Sequence, residues 1–546
     1  MAKKTEIKHL VATLIFSVVV AFLLFIYEPI IMYAGNINEF WFDIETLRVI
    51  MLLPFFVTAI ALGIFYVLFF FATRRKPKIF YFLEIISFSI FIYLYIHGNF
   101  LTSMLPTLYG DIINWWGKDF IVGHIISAVL LIAIIVAAIF SIKRFSVGKT
   151  ARYSFYTIII FSIMMFTSFV TTLTTPDLFI DKTTQPIATI KNLNKISSKK
   201  NFYILLVDCT DSKEFNDFVT EKYEDDFKDF TYFKDAASGY SSTRDSIPLI
   251  FSGQFYKNEI GFNEFSTKAL DNSKTFAKLE SDGYDMNFYN NDFVWNSRKS
   301  MVFSNLSSDI SNYNKKGFIK QEIKYTLYKY LPFAFKSFSK IESMDFSSVI
   351  INKDIGDIYE WENMYYYDNV LSKKPEMVDE KLFQYVHLEG SHSPYDMDEN
   401  LNEIPGGAGT YIQKIGASAK IASLAIERYK ESGAYNDSVI VIMADHGWYE
   451  HVPVLYIKGV GEEHSKMKIS DKQVSWADLD EAFTELVNGE TSEQIFSNVP
   501  TDGRVRYFYA DYYYDKGPIL ESINRGGKSY DSTAWELTGV EYPYPD

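Results

Sequence analysis

The sequence predicts two unlike parts. The first is an N-terminal α-helical membrane domain of five transmembrane helices. The second is an α/β sandwich with a mostly parallel central sheet and a small C-terminal antiparallel sheet. Three observations carry this expectation. Five apolar runs, each of about the 20 residues that a bilayer crossing needs, crowd into the first third of the 546-residue chain. After them, continuous apolar runs of strand length alternate with helical periodicity, as strands buried on both faces between helices do. Near the end comes "RVRYFYADYYYDKG", rich in tyrosine and alternating in places, which suits a small antiparallel sheet whose aromatics pack rather than bind.

The apolar runs lie near Leu10–Tyr27, Val49–Phe71, Ile79–His97, Phe120–Phe140 and Tyr153–Thr172. One such run suits a buried core helix; five in succession do not. "MAKK" precedes the first run, "RRKPK" follows the second and "KRFSVGKTAR" follows the fourth, whereas the other loops are poor in Lys and Arg and carry Trp. The positive-inside rule then puts the N-terminus in the cytoplasm and everything after about Thr175 outside. No cleavage site is evident after the first run, which reads as an anchor rather than a removable signal peptide. The expected division is a membrane domain over 1–175, a linker over 176–200 and an extracytoplasmic domain over 201–546, in a multi-pass membrane protein. The net charge of −14 argues against a nucleic-acid partner and against tight docking of the soluble part on anionic lipid. The single cysteine, Cys209, excludes an intrachain disulfide and reads as a small buried apolar residue.

In the second part, "NFYILLVDC", "LFQYVHL", "SVIVIMA" and "VPVLYIK" are runs that suit buried parallel strands. Between them Ile412, Ile415, Ala419, Ala422, Ile426 and Tyr429 recur at helical spacing, and Gly433 suits the end of that helix. In such folds ligands bind beyond the carboxyl ends of the strands. Asp208 falls there, in "LLVDCTDS", as do Asp445 and His446, in "MADHGWYEH". In "GYSSTRDSIPLIFSG", Thr243 sits where an apolar helix begins, a place that favours phosphate, although Ser242 or Thr243 also suits a plain N-cap. Asp208, Thr243, Asp445 and His446 together make a mostly hard ligand set for Mn²⁺, Mg²⁺ or Zn²⁺. Such a metal would activate the Thr243 hydroxyl, otherwise a poor nucleophile. His392, in the loop "EGSHSPYDMDE", suits a proton donor to a leaving group, while His387, inside an apolar run, reads better as a core residue. Asn291, Trp295 and Arg298, in "NNDFVWNSR", suit a grip on a phosphorylated head group, with Arg244 beside the threonine.

Taken in order, these motifs resemble the lipoteichoic acid synthase group of membrane phosphotransferases, in the alkaline phosphatase/sulfatase superfamily. The likeness covers both halves of the chain. It implies that Asp208, where the group usually has Glu, binds metal with Thr243, Asp445 and His446, and that Thr243 is phosphorylated. It also implies that His392 contacts the transferred group and that Trp295 lies in the substrate-gripping loop. One divalent metal, Mn²⁺ first, is implied, with a phospholipid donor and a cell-surface glycan or teichoic-type polymer as acceptor. The arginine expected two residues after the tryptophan is Ser297 here, with Arg298 displaced by one. "STRDS" lacks the C/S-x-P-x-R context of a formylglycine sulfatase. Related phosphoethanolamine transferases usually carry more sequence and another histidine after the Asp–His pair; His451 and His464 are the available ones. The expected activity is phosphoglycerol transfer from phosphatidylglycerol through a phosphothreonine. The alternatives are phosphoethanolamine transfer to a lipid-linked glycan, or a non-catalytic membrane sensor that keeps the fold.

Overall fold

A computed structural model describes residues 2–37, 40–106, 113–175, 178–179, 186–290, 302–307, 313–338, 341, 345, 349, 357–448, 452–510 and 518–543. The chain forms two compact units, Met1–Thr183 with Ser311–Ile351, and Thr184–Ile310 with Asn352–Asp546.

The first unit holds five helices long and apolar enough to cross a membrane: Glu6–Gly35, Ile44–Ala72, Pro77–Phe100, Lys118–Arg144 and Val147–Thr172. They extend the expected runs by a turn or more, because helix propagation continues past the apolar stretch until a breaker intervenes. Asp43 starts the second span by accepting from the Thr46 N–H at 2.7 Å. The unit also claims the Lys315–Tyr330 helix and the short 3-10 segment Phe333–Phe338. The sequence had placed that stretch in the domain 201–546. Its aromatic residues bury against the spans instead, as described below.

The second unit is built on a seven-stranded sheet. Its strands are β1 (Asn201–Val207), β2 (Thr231–Phe233), β3 (Tyr284–Tyr289), β4 (Lys381–Leu388), β5 (Ser438–Met443), β6 (Leu455–Lys458) and β7 (Lys468–Ser470). The order is β7-β2-β6-β5-β1-β4-β3. β5, β1, β4 and β3 are parallel, so their carboxyl ends share one edge. β6, expected among the parallel strands, runs antiparallel to both β5 and β2. The eleven residues between Met443 and Leu455 are too few for a crossover helix, so the chain returns as a hairpin.

All seven residues of β1 are buried. Phe202, Ile204 and Leu206 face Phe251 and Trp476, while Tyr203, Leu205 and Val207 face the Tyr411–Glu431 helix. Each such aliphatic or aromatic side chain is worth about 1.5–3 kcal/mol on burial, which makes β1 the spine of the domain. The helix buries Ile415, Ala419, Ala422, Ile426 and Tyr429 as its spacing predicts, but leaves Ile412 48% exposed in the first turn. It starts on a capping box, Thr410 with Gln413, and ends before Gly433 at φ 75°. Part of the expected linker belongs to this unit. Ile187–Ala188 pairs with Leu306–Ser307, and Lys195–Ser197 pairs with Glu376–Val378. At the C-terminal end β8 (Val505–Ala510), β9 (Ile519–Arg525) and β10 (Trp535–Tyr542) form the small antiparallel sheet, with Tyr509 packed on Tyr240.

Candidate metal centre

Alternation along the parallel strands decides which polar residues meet. In β1 the residues Phe202, Ile204 and Leu206 point to one face, and Asp208 continues that face just past the strand. The Thr243–Ser252 helix packs on the same face through Ile247, Ile250 and Phe251. Its first residue therefore arrives beside Asp208, and the Thr243 hydroxyl donates to Asp208 Oδ2 at 3.3 Å. Ser242 occupies the N-cap position without capping; its hydroxyl donates to Asp245 Oδ2 at 2.8 Å. The N-terminal turn, with its positive dipole end, so opens on the acid cluster.

β5 delivers Asp445 and His446 to the same edge. The Cys209 N–H donates to Asp445 Oδ1 at 3.1 Å, and Trp476 Nε1 holds the Asp445 carbonyl at 2.7 Å. His446 Nε2 lies 3.6 Å from Asp208 Oδ1 and 3.5 Å from Asp445 Oδ2. Its Nδ1 donates to the Gly447 carbonyl at 3.0 Å, which leaves the Nε2 lone pair for a ligand. Asp208, Asp445 and His446 are all buried. Glycine is required at position 390, where φ is 55° and a Cβ would run into the backbone of Asp208. Tyr411 braces the turn from the other side: its hydroxyl donates to the Cys209 carbonyl at 3.0 Å and accepts from the Asp211 N–H at 3.0 Å.

His387 is the residue that sequence reasoning misplaced. It is buried as a core residue would be, yet its Nε2 donates to Asp208 Oδ2 at 3.3 Å while Nδ1 accepts from Asn290 Nδ2 at 2.7 Å. Phe383 and Tyr385 line the core on one face of β4, and His387 is the next position on that face. The alternation was the available signal: the last inward position of a parallel strand looks into the ligand edge.

Two carboxylate oxygens here, Asp208 Oδ1 and Asp445 Oδ2, are buried without a hydrogen bond. Leaving such atoms bare is costly, and His446 Nε2 converges on both. The donor set of two carboxylates, an imidazole nitrogen and the Thr243 oxygen is what a divalent cation takes, so the residues fit the metal. Electrostatics agree. Burial alone would raise the Asp208 carboxyl, but the hydrogen bond from His387 and the charges of His387, His392 and His446 hold it well below the usual carboxylate range. Burial and the neighbouring Asp208 push Asp445 up, so without a cation the two do not ionise alike. Burial opposes the His446 imidazolium, yet Asp445 and Cys209 raise its pKa. Burial pushes the Cys209 thiol up to about 11, consistent with an inert structural cysteine.

His392 lies on the loop after β4, half-buried, with Nδ1 donating to the Ser393 carbonyl at 2.7 Å and the ring 6.0 Å from Trp361. Arg244 grips Asp245 with Nη2, at 2.9 and 3.0 Å, and lies 4.4 Å over the Phe262 ring. Asn291, Trp295, Arg298 and His451 lie outside the described residues. His464 is not at the site. β6 runs away from the ligand edge, and His464 follows it beside Glu462, its N–H on Asp229 Oδ1 at 2.8 Å.

Residues 215–469, a little under half of the chain, match the sulfatase family model. They include Thr243, His387, His392, Asp445 and His446, and Asp208 lies just before them. Solved structures similar to the chain include the lipoteichoic acid synthase LtaP from Listeria monocytogenes, at 12% identity and a TM-score of 0.33, covering 62% of this chain and 86% of that one. A protein in the alkaline phosphatase superfamily from Vibrio parahaemolyticus is similar at 12% identity and a TM-score of 0.34, covering 66% and 86%. The phosphonate monoester hydrolase SpPMH from Silicibacter pomeroyi is similar at 10% identity and a TM-score of 0.33, covering 61% and 88%. Among curated proteins none matches the chain.

Proposed function

We propose that the protein is a membrane-anchored, metal-dependent phosphotransferase. It moves phosphoglycerol from phosphatidylglycerol, through a phosphothreonine at Thr243, to a hydroxyl of a cell-surface glycan or teichoic-type polymer on the extracytoplasmic face. The observation that carries this reading is the Thr243 hydroxyl, at a helix N-terminus and hydrogen-bonded to one of two buried acids that each keep a bare oxygen. Asp208, Asp445, His446 and Thr243 would hold the metal, Mn²⁺ first, with Mg²⁺ and Zn²⁺ as the alternatives. Bound there, a divalent cation lowers the hydroxyl pKa and neutralises charge on the phosphoryl oxygens.

The chain's own residues then do the following. Thr243 Oγ1, oriented by its hydrogen bond to Asp208 Oδ2, attacks phosphorus and releases its proton to solvent. The bond from phosphorus to the diacylglycerol oxygen breaks, and His392 in its imidazolium form protonates that oxygen. In the second half-reaction the acceptor hydroxyl attacks the phosphothreonine and gives its proton to the now neutral His392. The Thr243 oxygen leaves phosphorus and takes a proton back from solvent, which restores the starting state. His387 keeps Asp208 Oδ2 turned toward Thr243 throughout. The expected gripping loop, Asn291, Trp295 and Arg298 with Arg244, would hold the glycerol phosphate.

Intact-mass analysis after incubation with defined phospholipids tests the reading. A phosphoglycerol adduct on Thr243, formed from phosphatidylglycerol and absent in Thr243→Ala, is the expected result. A phosphoethanolamine adduct would transfer the same chemistry to the other lipid. A fully active Thr243→Ala protein would overturn the mechanism.

A further inference from the structure

Residues 313–338 interrupt the second unit and belong to the first. Lys329 pairs with Glu28 at 2.6 Å, and the Tyr330 hydroxyl donates to the other oxygen of the same carboxylate at 2.8 Å. Glu28 is fully buried in the first span, so these two residues satisfy a charge that the apolar bundle could not hold bare. Asn99 of the third span donates to the Tyr330 hydroxyl at 3.3 Å. Two span glycines receive the aromatic rings. A Cβ on Gly98 would run into Tyr330, and one on Gly123 would lie 2.8 Å from Phe333. The contacts fall at the end of the first and third spans and the start of the fourth. That is the end of the bundle from which the chain leaves the fifth span.

The outward side of this segment is unlike an ordinary domain surface. Phe335 is 51% and Phe338 80% exposed, and Lys315, Lys316 and Lys320 of the preceding helix are exposed too. The Lys315–Tyr330 helix has five lysines and one acid, against the acidic balance of the whole chain. Aromatic rings fringed by lysine are the composition of a bilayer interface, where rings sit at headgroup depth and ammonium groups meet anionic lipid.

We propose that residues 313–338 are a second membrane anchor. They form an interfacial segment, locked to the spans by Glu28 and seated against anionic phospholipid, that keeps the catalytic domain on the membrane even when the chain between Thr175 and Ile187 is cut.

The experiment inserts a site-specific protease sequence between Thr175 and Ile187 of the full-length protein. The protein is reconstituted in vesicles of phosphatidylcholine with phosphatidylglycerol, cleaved to completion and sedimented. The wild-type C-terminal fragment stays with the vesicles. In the triple variant Glu28→Gln, Tyr330→Ala, Phe333→Ala its bound-to-free ratio falls by at least about tenfold, the change that about 1.4 kcal/mol makes. Lys315→Glu with Lys316→Glu and Lys320→Glu lowers retention on vesicles containing phosphatidylglycerol but not on phosphatidylcholine alone. Divalent-metal affinity of the released fragment, unchanged from wild type, shows that its fold is intact. A wild-type fragment found in the supernatant overturns the proposal whatever the variants do. So does a fragment that stays bound equally in the wild type and both variants, because its retention then comes from elsewhere.

Discussion

Two residues outside the expected ligand set, the buried His387 and the half-buried Glu362, lend themselves to direct tests. His387 bonds Asp208 and Asn290, so it acts as a positioning residue. Outer partners of this kind are worth about 10–100-fold in metal affinity, and titration calorimetry of His387→Ala with Mn²⁺ is expected to show a loss of that size. Glu362 offers a pH test away from the metal. Burial, then the charges of Glu360, Glu389 and Asp396, raise its carboxyl from 4.5 to about 7. The folded protein therefore holds the proton over a range where the unfolded chain has lost it. The residue costs stability above about 7, and that cost disappears as pH falls to 4.5. Glu362→Gln should raise unfolding stability at alkaline pH by at most about 3 kcal/mol and leave it unchanged in acid, read from denaturant curves at both pH values. Much of this scale was legible in the sequence. Asp208, Thr243, Asp445 and His446 each stand at a strand end or a helix start, where local pattern suffices to place them. His387 was not, because an apolar run conceals which of its two faces meets the neighbouring strand.

The Tyr411–Glu431 helix shows how an element far along the chain fixes the site. Its first residue reaches back across about 200 positions to bond both ends of the Cys209–Asp211 turn. Tyr411→Phe removes both bonds at once. It is expected to cost about 1–3 kcal/mol in thermal or denaturant unfolding and to weaken metal binding, since the same turn carries Asp208. The period of this helix was readable from spacing alone. The direction of β6 was not, because an apolar run records burial and not the sense in which a strand pairs. That is set by the length of the connection before it.

For the whole molecule, the discontinuity of the second unit makes a sharper prediction than its fold class. Ser307 pairs with Ile187, and Ile358 bridges to Thr189, so the excursion leaves and re-enters on either side of one short strand. Two strand spacings amount to about 10 Å, which a few residues span. A fragment beginning at residue 186 with 311–351 replaced by a short Gly/Ser linker should be monomeric and metal-binding by light scattering and calorimetry. The same fragment with 311–351 retained exposes Phe318, Tyr330 and Phe333 and should associate or require detergent. The five spans were evident in the sequence because each is a long apolar run. This excursion was not, because its lysines and tyrosines read as an ordinary polar helix until the partners Glu28, Gly98 and Gly123 are in view.

The same discontinuity bears on how the protein is made. β1 emerges early, but both strands that flank it, β4 and β5, follow the excursion in the chain. During synthesis the ribosome therefore delivers the docking segment before the sheet can close. Assembly of the spans, return of the chain to them and completion of the α/β core become successive stages of one biogenesis. A defect at Glu28 would then appear in the cell as an export and maturation fault, with the ligand residues themselves untouched.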